Sequence, residues 1–336
     1  MKSKLTELIL NSSHRIPLTI GVYAGLEITG ASVKDAVSSA QAQTEAVLAL
    51  HECLQTEMLL TAMDLSVEAE LFGCDIRMSE DEIPTVVGRR VKTATEIDQL
   101  AIPEVGEGRT LVQLETTKNL VRSSKLPVLG GIIGPFSLAG RLFGVSEALE
   151  LSITDPATLE KLLDKVNRFL LSYLLAFREA GAWGVIMAEP AAGLLSPRGL
   201  GQFSSRYIHL LVEEVTNPAF TIVYHNCGAR KAHLEKILES GVDMCHFSTP
   251  MNIPEALPLV DKGLILAGNL DPTAVFHSGS MEQVQTQTIQ LLAQTSQYPN
   301  FVISSGCDIP PKTPLANLQV FYDTVRGFSN PASTFL

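Results

Sequence analysis

Short apolar runs rich in β-branched residues alternate with longer helix-patterned segments along most of the chain. Strands that alternate with helices pair in parallel and need helices on their faces, which indicates an α/β architecture. Eight such runs occur, at 18–23, 59–63, 126–133, 184–188, 220–224, 244–247, 264–267 and 301–304. Eight strands with intervening helices predict a closed (β/α)8 TIM barrel. A doubly wound open sheet is the alternative, and it would bind its ligand at a single switch point.

The segments between the runs carry helical periodicity, and several begin with a proline behind a capping residue. They predict helices at 33–54, 156–180, 197–215, 230–240, 253–260, 281–294 and 314–325. Residues 1–13 predict an amphipathic N-terminal helix. The stretch 75–109 fits neither period and predicts an inserted hairpin or lid after the second strand. Because no linker or low-complexity tract occurs, we expect residues 1–336 to form a single barrel domain.

Charge and cysteine content argue against several classes of protein. The net charge is −11 and no Lys/Arg cluster occurs, which disfavours nucleic acid and anionic membranes as partners. No uncharged apolar stretch reaches the ~18 residues of a membrane span, and the N-terminal segment does not resemble a signal peptide. The five cysteines are irregularly spaced, which is typical of a reducing compartment rather than a disulfide framework. We therefore expect a cytoplasmic protein.

Three residues at the carboxyl ends of predicted strands, where barrels carry their reactive groups, form a candidate metal site. Side chains two apart on a strand point to the same face, so His225 and Cys227 can share a metal. Cys307 leaves the last strand at the same end of the barrel. One imidazole and two thiolates suit zinc and leave its fourth position open, whereas the alternative is that all three are core residues. The remaining cysteines are predicted to serve packing: Cys53, Cys74 and Cys245.

Two carboxylates at strand ends are candidate catalytic groups. Glu189 follows the fourth strand and precedes a proline, where it can act as a displaceable fourth zinc ligand or as a base. A helix cap or hydrogen-bond anchor is the equally weighted alternative for Glu189. Asp64, after the second strand, presents the same choice with weaker support. Asp271 is expected first to cap a helix, and His246 is expected to be a strand histidine with satisfied hydrogen bonds rather than a ligand.

Glycine-rich strand ends are the candidate cofactor-binding elements. The third strand ends in Gly130-Gly-Ile-Ile-Gly134, which lacks the acidic residue and helix start of a nucleotide-binding fingerprint. We predict instead that these glycines let a large ligand approach the backbone. The predicted cofactor-binding residues are Gly130, Gly131 and Gly134 on this segment, with Gly268 and Asn269 after the seventh strand.

Three strand-end motifs together resemble those of the uroporphyrinogen decarboxylase superfamily. They read Tyr224-His-Asn-Cys-Gly228, Ala267-Gly-Asn-Leu-Asp-Pro272 and Ser305-Gly-Cys-Asp-Ile-Pro-Pro-Lys-Thr-Pro314-Leu-Ala-Asn317. Within the superfamily, the chain is most similar to the methylcobamide:coenzyme M methyltransferase branch. Further matches to that branch are Gly131-Ile-Ile-Gly-Pro-Phe136, Leu195-Ser-Pro197, and Asp64 with Glu68-Ala-Glu70. The resemblance covers nearly the full length and is strongest after residue 126.

The resemblance implies a zinc-dependent methyltransferase. That branch binds zinc through a His-x-Cys pair and a later Gly-Cys cysteine, which correspond here to His225, Cys227 and Cys307. It implies methyl transfer, in either direction, between a methylated corrinoid of the methylcobalamin type and a thiol such as coenzyme M. The corrinoid would be carried by a small corrinoid-binding protein that docks over the strand ends. Zinc would keep the thiol deprotonated at neutral pH, although a free thiol titrates near ~8.5.

One departure from the superfamily separates this chain from true decarboxylases. Those carry an Arg-x-Ala-Gly-Arg-Tyr segment near the first strand, whereas this chain reads Leu18-Thr-Ile-Gly-Val-Tyr-Ala-Gly25. The alternatives are a metal-independent tetrapyrrole decarboxylase, a methylcobalamin:tetrahydrofolate methyltransferase, and a non-catalytic zinc- or corrinoid-binding scaffold. The sulfonate of coenzyme M needs a cation, for which Arg141, Arg198 and Lys312 are the candidates.

Overall fold

Eight parallel strands form the centre of the protein in the computed structural model, which describes residues 2–328. The strands are β1 (Pro17–Ile20), β2 (Leu59–Leu60), β3 (Asp75–Arg77), β4 (Thr85–Val87), β5 (Val128–Ile133), β6 (Gly184–Ala188), β7 (Thr221–Asn226), β8 (Met244–Phe247), β9 (Ile265–Leu270) and β10 (Phe301–Asp308). The barrel strands follow the order β1-β10-β9-β8-β7-β6-β5-β2, and β3 and β4 form a separate two-stranded sheet. The first and last strands of the chain are therefore paired neighbours, which confirms the TIM barrel and excludes the doubly wound sheet.

The barrel has one seam without a backbone ladder, between β1 and β2, within the part of the chain that the structure describes. Helix-borne side chains instead contact β1 and the loop after β2 separately. Gln43 accepts a hydrogen bond from the Ala62 amide at 3.0 Å and donates one to the Ala36 carbonyl at 2.8 Å. The Thr19 and Tyr322 hydroxyls lie 3.1 Å apart. Each side of this joint is therefore held by a side chain from a surrounding helix, Gln43 on one side and Tyr322 on the other.

Helices surround the barrel and connect its strands. The α-helices are α1 (Lys4–Leu10), α2 (Leu26–Thr29), α3 (Val33–Ser38), α4 (Ala40–Leu54), α5 (Val67–Leu71), α6 (Ala94–Gln99), α7 (Gly108–Ser123), α8 (Pro135–Phe143), α9 (Val145–Thr154), α10 (Pro156–Glu179), α11 (Pro197–Leu200), α12 (Arg206–Val215), α13 (Leu234–Leu238), α14 (Ile253–Ala256), α15 (Met281–Gln294) and α16 (Leu315–Gly327). Short 3₁₀ segments cover Val22–Gly25, Ala191–Leu194, Lys231–His233 and Leu257–Leu259, and π-helical turns cover Gly201–Ser205 and Pro272–His277. Within residues 2–328, no helix combines the length and apolar character needed to cross a membrane.

Local capping explains where several of these helices begin. Asp155 accepts a hydrogen bond from the Thr158 amide, so α10 begins at the proline that the sequence indicated. The predicted helix at 33–54 is two helices, because Ser39 adopts an extended conformation and caps α4 through the Ala42 amide. The helices that were not predicted are α2, α5, α6, α7, α8 and α9.

The predicted N-terminal helix is present as α1, and it packs against the interior of the barrel. Leu5 and Ile9 are buried in the same hydrophobic cluster as inward-facing barrel residues such as Val223 and Ile265. Ser3 caps α1 through the Thr6 amide. The apolar face of α1 therefore contributes to the barrel core.

The segment 75–109 contains the predicted hairpin, since β3 and β4 pair antiparallel with Ile76 opposite Val86. Helix α6 follows the hairpin. The Val91 amide donates to the Leu142 carbonyl at 3.1 Å, which ties the segment to α8. The end of the insertion matters for the site, because Arg109 lies in the first turn of α7.

Two hydrophobic layers define the inside and the outside of each strand. Val223 belongs to the cluster inside the barrel, whereas its neighbour Tyr224 packs in the layer between the strands and the helices. Side chains alternate along a strand, so His225 shares the inward direction of Val223. The β7 sequence therefore directs one histidine into the carboxyl end of the barrel.

Candidate metal centre

The centre of the site is the carboxyl end of β7. His225 is the penultimate residue of this strand and is buried, and Cys227 follows directly after the strand. Cys227 is partly exposed, so its sulfur lies closer to the barrel mouth. This strand end therefore supplies an imidazole and a thiol to one region of the barrel.

Cys307 reaches the same region through an irregularity in β10. The pairing with β1 passes from Leu18↔Ser304 to Ile20↔Asp308, so β10 contains extra residues at this step. A bulge of this kind changes which side chains face inward. The Cys307 Sγ lies 3.6 Å from the Nε2 of His225. The irregular end of β10 thus places the second thiol beside the imidazole.

These three side chains can hold a metal ion. One ligand atom from each of His225, Cys227 and Cys307 lies within 4.8 Å of the others. Two sulfurs and one imidazole nitrogen are a donor set that zinc accepts, and three protein ligands leave a fourth position for a substrate. The structure brings together all three residues that the sequence predicted as ligands.

A hydrogen bond between the two thiols separates their pKa values. The Cys307 thiol donates to the Cys227 sulfur, which lowers the pKa of Cys227 to about 7. The pKa of Cys307 is raised to about 12, with the same hydrogen bond as the largest cause and burial as the second. At neutral pH and without a metal, Cys307 therefore keeps its proton. A metal bound by both sulfurs must displace that proton, so its affinity depends on pH.

His246 lies behind His225, on the neighbouring strand β8. The two histidines are direct cross-strand partners, and their Nδ1 atoms are 2.8 Å apart. The Nε2 of His246 lies 2.7 Å from the Ser304 Oγ. Burial, followed by the nearby His225, holds the pKa of His246 well below its usual range, so this imidazole is neutral at pH 7. His246 has satisfied hydrogen bonds, as expected, but its contact with His225 was not predicted.

Glu189 is buried and accepts four hydrogen bonds around the start of α8. Its Oε1 accepts from the Phe136 amide and the Ser204 hydroxyl, each at 2.9 Å. Its Oε2 accepts from the amide and the hydroxyl of Ser137, at 2.8 and 2.6 Å. These contacts match the hydrogen-bond anchor that the sequence left as the alternative. Glu189 is not one of the three converging ligands, and a catalytic role for it stays a prediction.

Asp64 belongs to a buried ion-pair network with Arg109. The Arg109 Nη1 contacts the Asp64 carboxylate, and its Nε lies 2.5 Å from Glu70. Its Nη2 donates to the Ser66 hydroxyl at 2.9 Å. The guanidinium is therefore occupied on three sides, and Asp64 is neutralised by a residue from the end of the insertion. A catalytic role for Asp64 stays a prediction.

The family model described as uroporphyrinogen decarboxylase (URO-D) matches residues 12–328, which is nearly the whole chain. The chain belongs to the URO-D family.

Curated relatives within the URO-D family carry two different names. The methylcobamide:CoM methyltransferase MtbA of Methanosarcina acetivorans is 28% identical over 90% of this chain and 89% of its own length. The uroporphyrinogen decarboxylase of Solibacter usitatus is 24% identical over 82% of this chain and 81% of its own length. A solved structure, described as a methyltransferase from Methanosarcina mazei, superposes with a TM-score of 0.86 at 23% identity over 95% of this chain and 96% of that chain. At that identity, the superposition shows the fold alone.

The predicted cofactor-binding glycines are sites of close packing within this URO-D barrel. A Cβ at Gly130 would lie 2.4 Å from the Phe177 ring, and a Cβ at Gly134 would lie 2.3 Å from the Glu189 side chain. A Cβ at Gly131 would lie 2.7 Å from a backbone carbonyl oxygen in the loop that follows β2. The neighbours that require glycine here are therefore protein atoms. A role for these glycines in cofactor binding stays a prediction.

The strand end after β9 is also held by protein contacts. Gly268 has φ +142°, and a Cβ there would lie 2.5 Å from the Phe247 carbonyl. The Asn269 amide donates to the Ser248 and Met251 carbonyls. Both residues therefore fix the loop after β8 against β9, and their predicted role in cofactor binding stays a prediction. Asp271 caps the following helical turn through two backbone amides, as expected.

Several buried polar groups that the sequence did not single out as site residues lack a hydrogen-bond partner within residues 2–328. Among them are the hydroxyls of Tyr23 and Tyr173, the Oε2 of Glu68 and both carboxyl oxygens of Asp308. Asp308 directly follows Cys307. Burial is the largest cause that raises the pKa of Asp308 well above its usual range. Its position inside the Gly-Cys-Asp motif was the only sequence signal for it.

The candidate cations for a sulfonate lie in different surroundings. Lys312 forms an exposed ion pair with Asp81 at 3.1 Å. Arg141 lies in the last turn of α8, and Arg198 lines a surface cavity beside the exposed side chains of Ile153 and Leu194. Within the described residues, no hydrogen bond or ion pair joins these cations to the metal-ligand cluster. The structure therefore singles out none of them as the sulfonate partner.

Proposed function

We propose that this chain is a zinc-dependent methyltransferase that moves a methyl group between a methylated corrinoid and a thiol such as coenzyme M. The observation that carries the proposal is the convergence of the ligand atoms of His225, Cys227 and Cys307 within 4.8 Å. The relative MtbA, which matches over 89% of its own length, is named a methyltransferase, and this name supports the same reaction class. The corrinoid would arrive on a small corrinoid-binding protein.

The donor set fits zinc better than the hard cations that barrels also bind. Thiolate sulfur and imidazole nitrogen are ligands of zinc, whereas magnesium and calcium prefer oxygen. His225, Cys227 and Cys307 would hold the ion. When bound, zinc would supply positive charge that favours the deprotonated form of a substrate thiol.

The chain's own residues determine where the substrates can meet. His225 is buried, whereas both cysteines are partly exposed, so the cluster is approached from the carboxyl end of the barrel. In the proposed transfer, a thiolate substrate would form a bond to the methyl carbon, and the partner-borne corrinoid would supply that methyl group and keep the electron pair of the broken carbon–cobalt bond. Glu189 accepts hydrogen bonds at the start of α8, and Asp64 forms an ion pair with Arg109. Both buried carboxylates are therefore satisfied by protein groups.

A tetrapyrrole decarboxylase is the competing function within the family. The relative named uroporphyrinogen decarboxylase matches a smaller share of this chain, 82% against 90% for MtbA. The first-strand segment Leu18–Gly25 contains no arginine that could bind the carboxylates of such a substrate. Because a decarboxylase of this kind needs no metal, metal content separates the two functions.

The first experiment measures zinc per chain in three proteins purified without chelator. They are the wild type, Cys307→Ser and the control Cys53→Ser, which removes an exposed thiol on α4. We expect about one zinc per chain in the wild type and the control, and a large loss in Cys307→Ser. The same proteins are then mixed with methylcobalamin and a panel of thiols, and loss of the methyl–cobalt absorption is followed.

Thiol-dependent methyl loss in the wild type and Cys53→Ser, but not in Cys307→Ser, would support the methyltransferase. A wild type that contains no zinc and takes up none would contradict the proposal and favour the decarboxylase. One tightly bound zinc without any thiol-dependent methyl loss would favour a non-catalytic metal-binding scaffold.

A further inference from the structure

A chain of four hydrogen-bonding groups runs from His225 away from the metal-ligand cluster. His246 lies opposite His225 on β8, and the two rings are 4.7 Å apart at 71°. His246 then reaches Ser304 on β10, past the small side chain of Ala267, its cross-strand partner on β9. The Ser304 hydroxyl lies 2.9 Å from the Ser305 carbonyl. His225, His246 and Ser304 are all buried, so water does not replace these contacts.

The direction of every hydrogen bond in this chain follows from one backbone oxygen. The Nδ1 of His225 has two partners, the His246 carbonyl at 3.3 Å and the His246 Nδ1 at 2.8 Å. A carbonyl can only accept, so the Nδ1 of His225 carries the proton. The Nδ1 of His246 must then accept, which places its proton on Nε2. That N–H donates to Ser304, whose hydroxyl donates to the Ser305 carbonyl.

The opposite direction leaves two pairs of acceptors facing each other. If His246 donated from Nδ1, the unprotonated Nδ1 of His225 would face the His246 carbonyl, lone pair against lone pair. The Ser304 hydroxyl would donate to His246, and the Ser305 carbonyl would lose its donor. Buried acceptors without donors are unfavourable. This series of hydrogen bonds therefore favours one tautomer of His225 and one of His246.

We propose that His246 and Ser304 are a positioning pair that holds His225 as its Nδ1–H tautomer and so directs the Nε2 lone pair at the metal. The Nε2 is the atom of His225 that lies 3.6 Å from the Cys307 sulfur. This inference rests on the proposed metal site, and it is independent of the methyl acceptor. Partners of this kind orient a metal-binding histidine and influence its affinity for the ion.

The test measures zinc affinity by competition with a chromophoric chelator, together with the visible spectrum of the cobalt(II)-substituted protein. The variants are His246→Phe, which removes both ring nitrogens, and Ser304→Ala, which removes the hydroxyl that accepts from His246. Ser305→Ala is the matched control, because it is equally buried on the same strand and its hydroxyl contacts the Ile20 amide instead. We expect His246→Phe and Ser304→Ala to weaken zinc binding about 10–100-fold, and Ser305→Ala to change it less than about twofold.

Two further measurements separate positioning from a general structural role. His246→Gln still offers one acceptor and one donor, so we expect it to restore part of the affinity lost in His246→Phe. In ¹⁵N-histidine-labelled, zinc-free protein, we expect the His225 Nδ1 to be protonated in the wild type, and a mixture of tautomers in Ser304→Ala.

Two results would overturn the inference. One is zinc affinity within twofold of the wild type in a folded His246→Phe or Ser304→Ala; the other is a wild-type His225 protonated on Nε2 in the zinc-free protein. If the wild type binds no zinc, the proposed function fails, but the tautomer measurement still decides this inference. Urea unfolding of each zinc-free variant identifies any that do not fold, and Ser304→Ala removes the fewest atoms.

Discussion

Glu68 is a buried carboxyl group that should make the stability of the barrel depend on pH. It is 1% exposed, its Oε1 accepts from the Ile133 amide at 3.1 Å, and its Oε2 has no hydrogen-bond partner among residues 2–328. Burial is the largest cause that raises the pKa of Glu68 to about 7. The substitution Glu68→Gln removes the ionisable group and keeps an oxygen for the Ile133 amide.

The direction and size of the effect follow from the two pKa values of Glu68. In the unfolded chain this carboxyl titrates near ~4.3, so between that pH and 7 the folded state binds the additional proton. Its contribution to stability is therefore fully present below about pH 4.3 and is lost as the pH rises to about 7. A difference of roughly 2.7 pKa units, at ~1.36 kcal/mol per unit, corresponds to about 4 kcal/mol in the free energy of unfolding, of which about 3 kcal/mol falls between pH 5 and pH 8.

The assay is urea unfolding of the zinc-free wild type and Glu68→Gln between pH 5 and pH 8. Over this pH range, we expect the free energy of unfolding to fall by up to about 3 kcal/mol more in the wild type than in the variant, because the variant lacks the titrating group. Titrating groups that do not interact with Glu68 contribute equally to both proteins and cancel in the comparison. Glu27→Gln, on the exposed end of α2, controls for the loss of one surface charge. Parallel pH profiles for the wild type and Glu68→Gln would refute the reasoning.

Three further substitutions test contacts around the site. Glu189→Gln replaces one acceptor oxygen with a donor, so we expect urea unfolding to show a loss of about 1–3 kcal/mol with zinc content unchanged; lost zinc at unchanged stability would instead make Glu189 a ligand. Gly130→Ala places a Cβ 2.4 Å from the Phe177 ring, and we expect a loss of about 1–3 kcal/mol that Phe177→Leu partly restores. An unchanged urea midpoint would argue against that contact. Arg109→Met leaves the Asp64 carboxylate buried without its partner, and a loss of about 3–5 kcal/mol in thermal or urea unfolding at pH 8 is expected; wild-type stability there would contradict the ion pair.

The strand order of the barrel was predictable because each strand carries its own hydrophobic signal. All eight predicted strands overlap an observed one, but their lengths differ. The run at 59–63 forms only Leu59–Leu60, and the run at 18–23 ends at Ile20 because Val22–Gly25 turns into a 3₁₀ helix. An apolar run reports burial, and the residues after β1 and β2 are buried without pairing in the sheet.

The ligand set was predictable in identity but not in geometry. His225 and Cys227 follow from the period of a strand, whereas Cys307 depends on the bulge in β10. The contacts of His246 and Arg109 depend on residues 21 and 45 positions away, so no local pattern indicates them. Sequence spacing determines which side chains share a face, and pairing between distant strands determines which of them meet.

The glycines show why a correct position can suggest a different role. Gly130 and Gly134 lie at a strand end, where ligand approach is a reasonable expectation for a residue without a side chain. The structure fills the space beside them with Phe177 and Glu189. A missing Cβ indicates close approach, and only the tertiary structure identifies the approaching atoms.

The two ends of the metal-ligand cluster lie far apart in the chain. His225 and Cys307 are 82 positions apart, and β8 and β9 lie between their strands. An ion held by both would act as a removable cross-link that spans about a quarter of the sequence. A ligand that binds only the folded chain stabilises it by about 2.7 kcal/mol at a free concentration of 100 Kd. The melting temperature of such a protein is therefore a function of the free metal concentration, and its survival in a cell becomes coupled to metal supply.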